Sequence, residues 1–175
     1  MLSRLALRIA ALALAALAAG CGYSLVRYAD GLGEVRSVAV ATPRNDSYEA
    51  GVDWIVADAL RREFLRRRGV RLVEDPGRAD LVLDGRVVAV EGRGRSFSSI
   101  ALALEYELTL SLELEARRAD GTAIALDPRS LRETERYLAS ADAEALRKNR
   151  EEALRQAAAV LAGRVVDALY ETLTP

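Results

Sequence analysis

The chain has no histidine and one cysteine, Cys21, among 175 residues. Without imidazole it lacks the usual general base, the commonest metal ligand, and any Ser-His-Asp or Cys-His nucleophile arrangement. One cysteine cannot build an intramolecular disulfide framework. Lysine is equally scarce: Lys148 stands alone, and arginine carries the remaining basic charge. No Walker loop is present, and no GxGxxG opens a helix after a strand. A carboxylate pair, or a serine paired with Lys148, is the only catalytic chemistry left open. The expectation is therefore a non-enzymatic protein with no cofactor and no metal site.

What is present begins with a short apolar run. Arg4 and Arg8 precede Ile9–Ala19, a stretch built only of Ala, Leu and Ile. This is the basic and then apolar pattern of an export signal, and the run is shorter than the roughly 20 residues a bilayer-spanning helix needs. The stretch Leu17-Ala18-Ala19-Gly20-Cys21 that follows resembles the lipobox of bacterial lipoproteins, with Ala18 where a leucine is usual. The resemblance implies a diacylglyceryl group on the Cys21 thiol, cleavage just before it, and acylation of the new amine. Several chains on one residue anchor firmly where one chain binds only marginally. Gly22 follows where an Asp would signal inner-membrane retention, so outer-membrane sorting is expected. Residues 1–20 are then a cleaved signal peptide and 21–175 a single domain, large enough for one core.

Removing residues 1–20 leaves 23 basic residues against 26 acidic ones, a net charge near −3. That modest acidity, together with export, argues against nucleic acid as a partner.

Along the mature chain, Val35–Ala41 (VRSVAVA) reads as a buried strand closed by Pro43, and the loop from Pro43 to Ser47 offers helix N-caps. Val52, Ile55, Val56, Ala59 and Leu60 recur at helical spacing, which predicts a helix from Tyr48 to Arg68 stopped at Gly69. Val70–Glu74 and Leu81–Val90 read as strands, the second bulged or closely approached at Gly85. Gly92–Ser99 (GRGRSFSS) reads as a flexible basic loop.

From Leu102 to Ala116 the period is two. Leu102, Leu104, Tyr106, Leu108, Leu110, Leu112 and Leu114 fill the even positions; Glu105, Glu107, Glu113 and Glu115 share the odd ones with Ala, Thr and Ser. Leu and Glu favour helices, yet this alternation makes no helical face, whereas a strand gives one leucine wall and one charged, solvated wall. Asp120-Gly121 marks a hairpin turn. Thr122–Leu126 and Leu131–Leu138 read as returning strands, the latter polar enough to sit at an edge. From Asp142 to Thr172 the period is helical, with Leu146, Ala153, Ala157, Leu161, Val165, Ala168 and Leu169 on one stripe. Only that helix is large enough to cover the leucine wall. The expected fold is α+β: a mostly antiparallel or mixed sheet of four to five strands, with two helices packed on one face.

Several segments together are similar to the lipopolysaccharide-assembly lipoprotein family, LptE: Cys21-Gly22-Tyr23, SVAVATPRNDS, ALRREFLRR, ADLVLDGRV, EYEL, the DG turn and NREEALRQAAAVLAGRVVDAL. The resemblance implies a plug seated inside a large outer-membrane β-barrel, LptD, on the periplasmic side, assisting barrel assembly and delivery of lipopolysaccharide to the outer leaflet. It also implies basic character in the loop before the long strand, where Arg93 and Arg95 stand. These are the candidate lipopolysaccharide-binding residues, since a guanidinium matches a phosphate in geometry and charge. The alternative is an accessory lipoprotein of another secretion or envelope-assembly complex, with the same anchor and fold but no lipopolysaccharide affinity.

Overall fold

The computed structural model describes residues 32–67, 69–97 and 103–174. Cys21 and residues 1–20, the expected signal peptide, lie outside the described residues.

The strands are β1 (Ser37–Val40), β2 (Arg44–Asn45), β3 (Arg71–Leu72), β4 (Leu81–Phe97), β5 (Ala103–Arg118), β6 (Ala123–Ile124) and β7 (Arg132–Leu138). The helices are α1 (Val52–Arg66) and α2 (Ala143–Leu173). All seven strands form one mixed sheet, ordered β3-β1-β4-β5-β6, with β2 also on β4 and β7 also on β5. β1 and β2 occupy successive stretches of one edge of β4, and β6 and β7 divide the far edge of β5. The sheet therefore holds seven strands, more than the four to five expected, because short strands share each edge of the long β4–β5 ribbon; the α+β class, a mixed sheet with two helices, stands as read.

Period-two patterning decides the long ribbon. Leu108, Leu110 and Leu112 are fully or almost fully buried on one face of β5, and Val87, Leu83 and Leu81 of β4 join them. α2 buries a pair of residues every fourth position, from Ala153 and Leu154 to Leu169 and Tyr170, and lays them over this wall. Four residues turn a helix by about 400°, so the stripe drifts around the axis as it descends. It therefore serves both the sheet and α1, which contributes Val56, Leu60 and Phe64 to the same core. The two helices are also tied by Arg67, which reaches Glu63 at 2.9 Å and Asp167 at 2.7 Å. Leu146 is only half-buried, because the first turns of α2 run beyond the core.

Local signals explain where the elements end. Asp142 caps α2 by accepting the amides of Glu144 and Ala145. α1 starts at Val52 rather than Tyr48, because the polar residues before it fold on themselves. Asn45 accepts from Ser47 through both amide and hydroxyl and donates to the Glu49 carbonyl, leaving Gly51 at the N-cap with φ +79°.

β4 runs through to Phe97, so Gly92–Phe97 is strand and not the flexible loop the sequence suggested. The reason is alternation hidden by glycine. Gly92 and Gly94 face the helix layer, opposite Leu108 and Tyr106, while Arg93 faces outward opposite Glu107. Gly85 is closely approached as expected: a Cβ there would stand 2.1 Å from the Glu113 carbonyl oxygen. The irregularities of pairing fall instead between Val87 and Ala89 and again between Gly94 and Phe97.

Candidate functional site

The outer face of the sheet, away from the helices, is a lattice of charges set by strand register. β4, β5 and β7 place Arg93, Glu107 and Arg136 in one row. Arg95 is the extra residue of a bulge between Gly94 and Ser96, which turns its side chain to the same face. Arg93 donates to Glu107 Oε1 at 2.5 Å through Nη2, and Arg95 donates to Glu107 Oε2 at 2.7 Å through Nη1. Arg95 also lies 3.8 Å from Glu105.

The structure therefore brings the two predicted arginines together on a single carboxylate. Glu107 is 6% exposed, so it departs from the solvated wall expected of the odd positions. Two guanidinium groups cover it and hold its carboxyl below the usual carboxylate range, the Arg93 hydrogen bond first and the Arg95 bond second. A buried carboxylate is retained because both oxygens are charge-paired. Arg136 completes the row, yet it makes no ion pair among the described residues. Sequence reasoning missed it, since only the β5–β7 register sets it beside Glu107.

On the opposite face of the same tip, Tyr106 and Tyr137 stack with ring centroids 5.3 Å apart. Arg150 of α2 reaches the Tyr137 hydroxyl at 3.2 Å and Glu49 at 2.6 Å, and a Cβ on Gly92 would come within 3.1 Å of its Nη1. Gly92 thus makes room for a guanidinium beneath, while the arginines work above. Further down the outer face, Arg86 bridges Asp46 at 3.0 Å and Glu113 at 2.7 Å. Hydrogen bonds from Arg44 and Arg86 hold the Asp46 carboxyl at about 2.

Among the described residues no group of His, Cys, Asp and Glu side chains is arranged to hold a metal ion, and no helix is long and apolar enough to cross a membrane. The domain has two distinct ends. Leu32 and Gly33 lie at the base, where a Cβ on Gly33 would meet the Leu173 carbonyl oxygen at 2.2 Å. The arginine row lies at the far tip, near the start of α2.

Solved structures share this architecture at low sequence identity. The rare lipoprotein B of Shewanella oneidensis is 16% identical, with a TM-score of 0.51 over 78% of this chain and 96% of that one. An uncharacterized lipoprotein B of Nitrosomonas europaea is 14% identical, with a TM-score of 0.52 over 87% and 90% of the two chains. No curated sequence matches the chain. The family model described as "LptE: Lipopolysaccharide-assembly" matches residues 35–169, which spans both helices up to Leu169 and every strand of the sheet. The chain belongs to the lipopolysaccharide-assembly LptE family.

Proposed function

We propose that this protein is tethered through acylated Cys21 to the periplasmic side of the outer membrane, plugs an LptD-like β-barrel, and offers Arg93 and Arg95 to the phosphates of lipopolysaccharide. The family match supports the pathway. The observation that carries the site is the convergence of Arg93 and Arg95 on one carboxylate at the tip farthest from the base. Arg93, Arg95 and Arg136 oppose only Glu105 and Glu107, so the row keeps an excess of positive charge. The guanidiniums are already fixed, which lowers the ordering cost of gripping an anion. Much of the outer face is charged or polar, as an object seated in a polar barrel lumen requires.

Charge reversal would bring new carboxylates against buried Glu107 and confound binding with folding. The cleaner test is Arg93→Gln with Arg95→Gln and Glu107→Gln, which removes the cations and the carboxylate they cover together. Lipopolysaccharide affinity falls at least tenfold with an unchanged circular dichroism spectrum on this reading; equal affinity removes these residues from the site. A detergent pull-down of the acylated protein from its own outer membrane tests the partner. A stoichiometric translocon barrel supports the plug, and a secretion channel in its place overturns it.

A further inference from the structure

The free edge of β7 is a second feature of the tip end, independent of the arginine row. The Ala139 amide donates to the Leu104 carbonyl at 3.0 Å, continuing the β5–β7 register. In an antiparallel ladder, alternate residues share both hydrogen bonds with the neighbour and the rest turn outward. Odd-numbered residues of β7 therefore bond to β5, while Arg132, Thr134, Arg136 and Leu138 direct N–H and C=O to the open side. The ends of this edge are covered from α2. Asn149 donates to the Leu138 carbonyl at 3.0 Å, and Arg164 to the Arg132 carbonyl at 3.2 Å. Between these two covers, Thr134 and Arg136 offer their backbone groups to no strand among the described residues. A groove of about 350 Å³ runs alongside, between β7 and α2, with Glu135, Glu152, Ala153 and Gln156 in its walls.

The side chains of the edge are sorted by face. Arg132, Thr134 and Arg136 stand on the outer face; Glu133 and Glu135 stand on the helix side. Opposed residues of an antiparallel pair share a face, so a strand added here meets arginines outside and glutamates inside. A second copy related by a two-fold axis would pair even residues with even and odd with odd. Every register centred within Arg132–Arg136 then sets Arg against Arg or Glu against Glu, which is destabilising. The edge thus rejects its own copy, a known device against edge-to-edge association. The complementary occupant is a strand of inverse pattern.

We propose that the β7 edge between Asn149 and Arg164 receives an extended segment of a partner protein as an added antiparallel strand, with acidic side chains facing Arg132 and Arg136 and basic side chains facing Glu135 and Glu152. Backbone hydrogen bonds supply affinity and the alternating charges supply selection.

The test uses the full-length chain in detergent with two blocked peptides. One is Val-Glu-Lys-Thr-Lys-Glu-Val; the other, Val-Arg-Glu-Thr-Glu-Arg-Val, copies the charge order of β7. The first binds at least tenfold more tightly and slows amide exchange at Thr134 and Arg136. Thr134→Pro removes an outward amide that β5 does not use, so it abolishes binding while Leu108 and Leu110 stay protected from exchange. Arg136→Glu reduces the preference between the peptides several-fold. Equal binding of the two peptides, binding of neither, binding undiminished by Thr134→Pro, or concentration-dependent self-pairing through β7 would each overturn the proposal.

Discussion

Replacing Gly85 by alanine tests the central claim about the long ribbon, that β4 and β5 approach too closely there for any side chain. The added Cβ would lie 2.1 Å from the Glu113 carbonyl oxygen and 2.9 Å from Leu114 Cα. Ordinary contact between non-bonded heavy atoms is about 3.5 Å, so the strands must part by more than an ångström. The backbone adds its own penalty, since φ is +157°, where L side chains are rarely found. Strain of that kind costs about 1–3 kcal/mol, and forcing a group into packed surroundings about 1–3 kcal/mol more. The sum is roughly 2–6 kcal/mol, and a domain of this size shifts its Tm by about 2–4 °C per kcal/mol. Gly121 provides the control: its φ is +87°, but a Cβ there meets nothing within 4 Å. Gly121→Ala should therefore cost only about 1–2 kcal/mol, the left-handed penalty alone. Thermal melts of the two variants beside the parent decide the matter. A Gly85→Ala melt within about 3 °C of the parent would refute the close approach.

Acid should reach Asp46 late, because Arg44 and Arg86 hold its carboxyl at about 2 against an unfolded value near 3.8. Its stabilising contribution is complete above pH 4 and fades as pH falls from about 4 to 2. A carboxyl titration followed by NMR should show that low midpoint, and Asp46→Asn should flatten the acid limb of the stability profile. Ser37 is 2% exposed and donates its hydroxyl to Asp80 Oδ2 at 2.8 Å, where it helps hold the starts of β1 and β4 together. Ser37→Ala should cost about 1–2 kcal/mol in chemical denaturation, since it removes a bond donated to a charged acceptor and one accepted from the Asp80 amide. Cys21→Ala should block acylation, seen as loss of label after growth with a radioactive fatty acid; a mutant that still takes up label would refute the tether.

The sequence carried the sheet and the helices because their periods differ, and both long elements keep one period throughout. It misread the backbone that carries Arg93 and Arg95, taking strand for loop, and the reason is physical. In GRGRSF the inward positions are glycines, so no apolar alternation announces a strand, although Gly92 and Gly94 are paired with Leu108 and Tyr106. Arg93 and Arg95 were visible as cations, but their common partner was not. Glu107 looks like Glu105 and Glu113 in sequence, and only cross-strand register and the bulge at Arg95 bury it. Arg136 lies about 40 residues further along the chain, in a segment whose polar alternation marked it as an edge and nothing more. Register is a long-range property, and one sequence does not state it.

The proposed anchor and the proposed plug constrain one another through length. α2 runs from the tip to the base, and its 31 residues span about 45 Å. Leu32 stands at the base, and the eleven steps back to Cys21 reach at most about 40 Å when fully extended. With Cys21 acylated in the inner leaflet, a domain standing tip-first would leave the tether short by roughly 5 Å if it stopped at the leaflet surface. In the proposed arrangement the tip passes beyond that surface, and a barrel lumen keeps its charges out of lipid. Deleting six residues from 22–27 shortens the reach by about 22 Å and raises the required insertion to about 27 Å. That exceeds the apolar band of an outer-membrane barrel, about 25 Å tall. The deletion should therefore prevent co-purification of the barrel even though the lipid is still attached, while a six-residue Gly-Ser insertion at the same place should leave assembly intact. If the shortened protein assembled normally, the base and not the tip would face the membrane, and Arg93 and Arg95 would have to meet their ligand in the periplasm.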